Sequence, residues 1–463
     1  MRFGIFFEHQ LPRPWHERSE ADIIDEALEQ TAYADAIGIE YVWCVEHHFL
    51  EEYSHLSAPE IFLAAASQRT ENIRLGHGIM QTIPGYNHPA RNAERLATLD
   101  LISGGRVEFG SGESSSEAEL GGFGIDIDTK RDAWREGLEI AVRCMTEEPF
   151  TGVDGRWVTM PPRNVVPKPQ QKPHPPLWVA CSRRDTILMA AEAGIGALTF
   201  AFVDPEEARH WVADYQRVLA ERCVPVGETV NPDIACVTNM MCHPDEAEAL
   251  RRGMEGGNFF GYSLAHYYVF GDHAPAQTDV WQQFLTTRAD RGYDPEVQVA
   301  LAQETLGAKI AAGETTGLRG AIGTPDQLRQ YLRRYEEAGV DQLIFVMQSG
   351  KNDHAHIMES LEIFGREVLP EFKDRDGAAR AAKAERLAPV IDAAMARKNA
   401  ARDAPSLPEG YTIEAIPRQM LAEAYGAGAI DYVAGESAVG NFDTFREADS
   451  GALAAEEDPA PAG

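Results

Sequence analysis

The chain has 463 residues, of which 44% are hydrophobic and 25% are charged, a composition typical of a globular protein with a large core. Its net charge of −31 repels phosphate backbones and anionic lipid surfaces, which argues against nucleic acid and membranes as partners. The six cysteines form no CxxC pair and no apolar run approaches the roughly 20 residues of a membrane span, so we expect buried free thiols in a cytoplasmic protein.

Strand patterns and helix patterns alternate along the chain from its first residues. The apolar runs are short and lack polar alternation, which is typical of parallel strands buried on both faces. They occupy residues 3–7, 41–45, 73–80, 106–110, 177–180, 197–202, 234–241 and 342–346. Eight strand-then-helix units is the number in a TIM barrel, and we predict this α/β fold. A doubly wound open sheet is the main alternative.

Capping residues place several of the intervening helices. Ser19 is expected to cap the first helix, and Gly38 is expected to end it. Near the end of the predicted barrel, Thr324 and Gln327 have the spacing of a capping box, with Pro325 at the first helical position. These signals predict helices at both ends of the repeating pattern.

Two segments depart from that pattern. Residues 256–323 are predicted to form a long irregular insertion that is rich in Gly, Tyr, His and Phe. We assign residues 1–372 to the barrel and expect an extension over 373–463 that is first helical and then acidic and disordered. We interpret this extension as a peripheral clasp or an oligomer arm.

The most informative stretch is the end of the second strand, which runs into Glu46, His47, His48 and Phe49. Strand ends carry the chemistry in barrels of this kind, and imidazoles beside a carboxylate indicate proton handling near neutral pH. Neighbouring side chains point to opposite faces of a strand, so at most one of the two histidines faces a central pocket. From this stretch alone, a catalytic and a structural role for the histidines both stay open.

A second polar group, Ser182, Arg183 and Thr186, follows the fifth strand. Hydroxyl groups and an arginine at the start of a helix are typical of an anion site, although a solvated charged turn has the same composition. The histidines and acidic residues of the chain show no clear ligand spacing, so we predict no metal site.

Several longer motifs follow one another in a fixed order. They are Phe-Gly-Ile-Phe at 3–6, Trp-Cys-Val-Glu-His-His-Phe at 43–49, Ile-Arg-Leu-Gly-His-Gly-Ile at 73–79, Asn-His-Pro-Ala-Arg at 87–91, Leu-Asp-Leu-Ile-Ser-Gly-Gly-Arg at 99–106, Ala-Cys-Ser at 180–182 and Gly-Thr-Pro at 323–325. By these motifs the chain resembles the bacterial luciferase-like, flavin-dependent monooxygenase family. The resemblance is good over residues 1–200 and 320–372, weak over 205–320 and absent in the extension.

The resemblance implies a TIM barrel that binds reduced FMN at its carboxyl-terminal face. The flavin would react with O2 to a hydroperoxide, which oxidises a hydrophobic small organic substrate. His47 would be the catalytic acid–base residue beside the flavin. A separate flavin reductase would supply the reduced FMN, and the family resemblance leads us to expect a homodimer.

The resemblance also implies which residues hold the flavin ring. A cis peptide bond between Gly78 and Ile79 would lie against the ring, and Phe6 and Val179 would pack on it. The long insertion would form a mobile lid with aromatic substrate contacts, Tyr268 among them.

The phosphate of the cofactor would bind to Ser182, Arg183 and Thr186. The chain departs from luciferase at the end of the fourth strand, where Gly112 and Glu113 stand in place of a reactive cysteine and a phosphate-binding arginine. The Glu113 carboxylate is expected to repel the phosphate unless it points elsewhere. Light emission is therefore not implied.

Three other functions are open to the same sequence. A deazaflavin-dependent oxidoreductase would transfer hydride on this barrel without oxygen. A luciferase-like subunit without catalysis would keep only the fold, but the retained His47 argues against it. A metal-dependent hydrolase is the least favoured function, because such a site needs several convergent ligands.

Overall fold

The computed structural model describes residues 1–199, 202–293, 317–401 and 406–413, and the structural statements below refer to these ranges. Within them, eight parallel strands close into a barrel. The strands are β1 (Arg2–Phe7), β2 (Tyr41–Cys44), β3 (Arg74–His77), β4 (Val107–Gly112), β5 (Leu177–Cys181), β6 (Gly196–Thr199), β7 (Ile234–Cys242) and β8 (Gln342–Val346). Because each strand pairs with the next along the chain and β8 pairs back with β1, the predicted TIM barrel is confirmed and the open sheet is wrong.

Two predicted strands differ in extent from the observed ones. The third ends at His77, and a separate short strand, Met80–Gln81, pairs with the end of β4. The break between these two strands falls at Gly78 and Ile79. The sixth strand is observed as far as Thr199, and the next two residues of that prediction lie outside the described ranges.

Among the described residues, twelve α-helices accompany the strands. They are α1 (Ser19–Ile37), α2 (Pro59–Ser67), α3 (Pro89–Ile102), α4 (Glu117–Gly122), α5 (Lys130–Thr146), α6 (Arg184–Glu192), α7 (Pro205–Arg222), α8 (Glu246–Ala265), α9 (Val280–Thr287), α10 (Pro325–Ala338), α11 (His354–Glu367) and α12 (Leu369–Ala401). Gly38 ends α1 in the left-handed conformation, and Thr324 and Gln327 form the predicted capping box of α10.

The predicted cap of α1 is wrong. Arg18 occupies the N-cap position, and Ser19 is the first helical residue. The Ser19 hydroxyl accepts a hydrogen bond from the backbone N–H of His16 at 2.9 Å. The turn before the helix therefore engages the side chain that would otherwise have capped it.

Side chains fill the interior of the barrel below its carboxyl-terminal end. The rings of Trp43 and Trp178 meet edge to face with their centroids 5.4 Å apart. The indole N–H of Trp178 donates to the buried carboxylate of Glu108 at 2.6 Å, and Arg74 pairs with the same carboxylate. These side chains fill the interior of the barrel. A ligand at the carboxyl-terminal end would therefore bind among the strand ends above them. All six cysteines are buried and unpaired, as predicted.

The segment predicted as an irregular insertion begins as a regular helix. Helix α8 continues to Ala265, and residues 266–270 form a π-helical turn before α9. The glycines that suggested a break serve close packing: a Cβ at Gly256 would collide with Asn352, and one at Gly257 would lie 2.7 Å from Asn239. The part of the prediction at 294–316 lies outside the described residues.

The extension after the barrel begins with a single long helix. Helix α12 runs from Leu369 to Ala401, so the predicted boundary at residue 373 falls inside it. The Lys383 ammonium of this helix bonds Asp233 at 2.8 Å and Asp341 at 2.6 Å, at the amino-terminal end of the barrel. Of the segment beyond residue 401 only 406–413 are described, so the predicted disorder lies outside them. No helix among the described residues has the length and apolar character to cross a bilayer.

Candidate active site

Three titratable side chains meet at the carboxyl-terminal end of the barrel. Glu8 directly follows β1, His47 follows β2, and Glu119 lies on α4 after β4. The Nδ1 atom of His47 is 3.1 Å from Glu119 Oε1, and its Nε2 atom is 3.8 Å from Glu8 Oε2. One imidazole therefore lies between two carboxylates, an arrangement that favours a proton on both ring nitrogens.

The carboxylate of Glu119 is held as an anion by several donors. It accepts hydrogen bonds from the Ser114 hydroxyl at 2.5 Å, from the His48 backbone N–H at 3.0 Å and from the Tyr268 hydroxyl at 3.3 Å. Burial alone would raise the pKa of Glu119, but the charge of His47 and these hydrogen bonds outweigh it and lower the pKa.

The environment of Glu8 has the opposite effect. This side chain is 2% exposed, and burial raises its pKa to about 7 against the opposing charge of His47. One carboxylate oxygen accepts a hydrogen bond from the Tyr53 hydroxyl at 2.8 Å. The other oxygen, Oε2, has no hydrogen-bond donor among the described residues.

The two carboxylates control the protonation of His47. Burial alone would lower the pKa of this imidazole, but Glu119 and Glu8 outweigh burial and raise it to about 9. The side chain remains 16% exposed, and its ring lies near the aromatic rings of Tyr53 and Tyr268. His47 is thus a protonated group at neutral pH that still reaches the open end of the barrel.

The neighbouring residues of the same motif point elsewhere. The Glu46 carboxylate accepts hydrogen bonds from the Gln81 backbone N–H and from the Asn87 amide, both at 2.8 Å. The Nε2 atom of His48 lies 3.3 Å from Glu46, and the His48 ring packs against Phe123. As predicted, the two histidines separate, and only His47 lies between Glu8 and Glu119.

The residues predicted to hold the flavin ring lie toward the carboxyl-terminal ends of β1, β3 and β5. The peptide bond between Gly78 and Ile79 is cis, as the resemblance implies. A Cβ on Gly78 would lie 3.3 Å from the Trp43 side chain and 3.7 Å from the Phe6 ring, and one on Gly112 would lie 2.6 Å from the side chain of Ile79. The glycine that replaces the reactive cysteine of luciferase therefore leaves room for Ile79. Val179 is a buried residue of β5, next to the same end of β4.

The residues predicted to bind phosphate begin helix α6. Ser182 and Arg183 are exposed, and the Arg183 guanidinium pairs with Asp185 at 3.2 Å. The Thr186 hydroxyl is engaged by the backbone of Arg183, where it serves as part of the helix cap. Ser182 and Arg183 therefore have the accessible side chains of this group, and Thr186 supports the turn.

The carboxylate of Glu113 does not carry an isolated charge. The Arg131 guanidinium lies 2.9 Å from it and the Lys130 ammonium lies 3.9 Å from it. The positive charge of Arg183 also acts on Lys130, although burial is the main cause of the lowered pKa of Lys130. These cations offset the repulsion that Glu113 was expected to exert on a phosphate.

Sequence reasoning missed both carboxylates around His47. Glu8 carried one usable signal, because it directly follows a predicted strand on the end where barrel chemistry occurs. Glu119 carried little signal, because it lies 72 positions from its partner on a short helix. Tyr268 was expected as a substrate contact, and its hydroxyl lies 3.4 Å from His47 Nδ1.

The sequence matches known proteins over most of its length. A family model described as luciferase-like monooxygenase matches residues 1–342. Two uncharacterised proteins of Sinorhizobium fredii are 30% and 35% identical over 204 and 196 residues, 44% and 42% of this chain. The matches span 56% and 54% of those two proteins, so the chain covers about half their length.

Two longer matches are to named enzymes. Limonene 1,2-monooxygenase of Rhodococcus erythropolis is 31% identical over 378 residues, which cover 80% of this chain and 86% of that protein. The oxygenase component of the flavin-dependent trigonelline monooxygenase of Acinetobacter baylyi is 23% identical over 377 residues, which cover 81% and 96%.

Solved structures share the fold. The crystal structure of monooxygenase RslO1 from Streptomyces bottropensis has a TM-score of 0.63 and 25% identity, with 80% of this chain and 100% of that chain covered. A type II Baeyer–Villiger monooxygenase of Pseudomonas putida in complex with FMN has a TM-score of 0.58 and 21% identity, covering 80% and 98%. A coenzyme F420-dependent reductase of Methanopyrus kandleri has a TM-score of 0.55 and 21% identity, covering 80% and 99%.

Proposed function

The chain belongs to the luciferase-like monooxygenase family, and we propose that it is the oxygenase of a two-component system that uses reduced FMN and O2 to oxidise a hydrophobic small organic molecule. The observation that carries the proposal is the position of His47, between Glu8 and Glu119 and at the strand ends that include the cis bond before Ile79. The name of the Acinetobacter relative, an oxygenase component, supports a separate reductase as partner.

The residues present fit a flavin with its ring among the strand ends. Phe6, Gly78, Ile79 and Val179 would form its apolar bed. Ser182 and Arg183, with the start of α6, would hold the phosphate. When bound, reduced FMN would supply the chemistry that activates O2.

The chain's own contribution is proton control beside the cofactor. His47 is charged at neutral pH and can donate its Nε2 proton to a reacting oxygen. Glu119 accepts from Nδ1 and so fixes the orientation of the ring. Tyr268 and Tyr53 flank the imidazole and restrict the access of water.

The walls of the site support an apolar substrate. Tyr53 packs near Phe260 and Tyr267, with ring centroids 5.6 and 6.4 Å apart, and Phe202 packs near Phe260. Such aromatic faces bind apolar molecules and leave polar tips to orient them. The Rhodococcus relative is named for limonene, a compound of that character, and we propose a hydrophobic organic substrate here.

We further propose a homodimer. Three large apolar side chains are exposed on neighbouring helices α2 and α3, namely Ile61 (70%), Leu101 (45%) and Ile102 (48%). Exposed large apolar side chains on neighbouring helices are typical of interaction surfaces. Light scattering should give twice the chain mass for the wild type and a smaller mass for Ile61→Lys. A monomeric wild type would contradict this part of the proposal.

The decisive test is a rapid-mixing experiment with anaerobic protein and photoreduced FMN. Oxygenated buffer should give an absorbing species that is blue-shifted from oxidised FMN and lives longer than in free flavin. Immediate return to oxidised FMN, together with tight binding of reduced deazaflavin in a parallel titration, would contradict the monooxygenase and identify a hydride-transfer enzyme. Once the long-lived species is found, apolar ketones, aldehydes and alkenes can be screened for faster decay.

A further inference from the structure

The carboxyl group of Glu8 has a feature that the proposed acid–base role of His47 does not use. Its Oε2 atom is buried, lacks a hydrogen-bond donor among the described residues, and lies 3.8 Å from His47 Nε2. A buried carboxylate oxygen is normally satisfied by a donor, because an unpaired one is costly. The exception lies beside the ring nitrogen that faces away from Glu119.

The two carboxylates around His47 differ in how many donors stabilise their charge. Glu119 accepts from Ser114, from Tyr268, from a backbone N–H and from His47 itself. The Glu8 carboxyl accepts a hydrogen bond from Tyr53, is also stabilised by the Ser54 side chain, and is buried. Of the two groups, Glu119 is therefore built to stay an anion, and Glu8 is built to accept a proton.

We propose that Glu8 is the proton reservoir of this site: it stores the proton that His47 passes to the reacting group, and it acts through His47. The inference rests on the proposed function, because it extends the acid–base role given to His47 there. The three side chains then have separate roles: Glu119 orients the imidazole, His47 carries the proton, and Glu8 supplies or receives it.

The proton transfer balances without another reactant. A reacting group with a lone pair takes the proton on His47 Nε2, and the neutral imidazole then takes the proton from Glu8 Oε2. The O–H bond of Glu8 breaks, a new N–H bond forms on Nε2, and Glu8 remains as a carboxylate. A later proton released by the reaction follows the reverse route. A shortening of the 3.8 Å separation by about 1 Å brings the pair to hydrogen-bond length.

The charged and titratable groups that face Glu8 act on its pKa in both directions: the His47 charge lowers it and the Glu119 charge raises it, and burial, which also raises it, is the largest effect. They come from β2 and its following loop, from α4 and from the turn after α8, and they are Cys44, His47, Tyr53, Glu119 and Tyr268. The thiol and the two phenols stay neutral, because burial raises their pKa values well above the ordinary ones. The charges next to Glu8 are thus the His47 cation and the Glu119 anion.

Infrared titration of the full-length protein without flavin tests the assignment directly. The carbonyl stretch of a protonated carboxylic acid should disappear with a midpoint near pH 7, and Glu8→Gln should remove this component. Glu40→Gln is the matched control, because Glu40 is a largely buried carboxyl at the opposite end of the barrel with a raised pKa. Asp341, at the opposite end, should give its own component near pH 6 in both proteins. A second component near pH 7 that persists in Glu8→Gln would overturn the proposal, as would its absence from the wild type.

A second variant keeps the test valid if Glu8→Gln does not fold. Tyr53→Phe removes the hydrogen bond that stabilises the Glu8 anion, so the midpoint should move to higher pH. An unchanged midpoint in Tyr53→Phe would also contradict the assignment.

The pH dependence of turnover gives an independent readout. Activity that needs protonated Glu8 should fall as pH rises through about 7, and this decrease should be absent in Glu8→Gln and restored in Glu8→Asp. The infrared titration needs no flavin, so it fails only if the Glu8 assignment is wrong. A wild type that shows no reaction of bound reduced FMN with O2 would overturn the proposed function and leave the infrared result standing.

Discussion

The two ends of the barrel both bury charged side chains, but they satisfy them in different ways. At the amino-terminal end, Asp233 bonds Lys383 at 2.8 Å and Arg2 at 2.5 Å, and Asp341 bonds Lys383 at 2.6 Å. Burial alone would raise the pKa of Asp233, but these two cations lower it. Two cations and two anions therefore balance where α12 crosses the strand starts.

At the carboxyl-terminal end, the His47 imidazole lies between two carboxylates and is the cation that both of them contact. Glu119 is satisfied by several donors, whereas Glu8 leaves an oxygen without one among the described residues. Each carboxylate at the amino-terminal end has a cation in contact, and this pairing contributes to the fold. Burial and the charge of Asp233 still raise the pKa of Asp341 to about 6. The carboxyl-terminal cluster differs by its imidazole, which lies at the open end of the barrel and can pass a proton to a ligand.

The largest effect that this comparison predicts is the loss of turnover in His47→Ala. General acid–base groups contribute about 10²- to 10⁴-fold, and we expect a decrease in that range with the substrate found in the screen. The control is His48→Ala, whose ring packs outside the site against Phe123, and which should lose less than about tenfold. Equal losses in the two variants would contradict the assignment of His47.

At the opposite end, Lys383→Ala should affect stability and leave catalysis intact. It leaves Asp233 and Asp341 buried together without the shared cation. Breaking a buried ion pair costs about 3–5 kcal/mol, and because Lys383 is 17% exposed we expect about 3 kcal/mol from urea unfolding. Lys373→Ala, an exposed lysine of the same helix, should change the free energy of unfolding by less than about 0.5 kcal/mol. Unchanged stability in Lys383→Ala would show that the balance at this end is not structural.

The barrel itself could be predicted from the sequence, because apolar runs and capping residues are local signals. The resemblance also predicted the cis bond before Ile79, which is observed, and the role that it implies for His47 stays a prediction. The regular part of α8 was not predicted, because glycines that normally break helices here allow contact with Asn239 and Asn352. Composition alone does not distinguish a glycine that ends a helix from one that packs it.

The charge clusters at both ends were beyond local reasoning. Lys383 meets Asp233 across 150 positions, and His47 meets Glu119 across 72. Neither pair has a spacing that a helix or strand period would indicate. The protonation states also depend on burial, which a single sequence shows only indirectly.

The pH dependence of stability should reveal the coupling of His47 to the carboxylates at the carboxyl-terminal end. The pKa of His47 is raised from 6.5 to about 9, so its stabilising effect is complete below pH 6.5 and is lost as the pH rises through about 9. Glu119→Gln removes the nearer anion and should lower this pKa. Between pH 6.5 and 9 the wild type should therefore lose more stability than Glu119→Gln, by about 1.4 kcal/mol for each pKa unit. Parallel curves in urea unfolding would contradict the coupling between the two groups.

The smallest effect concerns exposed charges, where burial no longer amplifies an interaction. Arg183 is 68% exposed, and an exposed ion pair contributes at most about 1 kcal/mol. Arg183→Ala should therefore weaken FMN binding by no more than about fivefold and leave riboflavin binding unchanged, because riboflavin lacks the phosphate. The difference in FMN affinity between Arg183→Ala and the wild type should shrink at high salt, where exposed charges are screened.

The matched control for Arg183→Ala lies at the other end of the barrel. Arg380 is 62% exposed and lies 3.8 Å from Asp376. It therefore resembles Arg183 in exposure and in having an acidic neighbour, but no ligand is proposed beside it. Fluorescence titration of Arg380→Ala should give wild-type affinities for both FMN and riboflavin. A shared loss of FMN affinity in the two variants would indicate a general effect of net charge on an acidic protein. A loss confined to Arg183→Ala would place the phosphate at the start of α6, because only a local contact distinguishes two arginines of similar exposure.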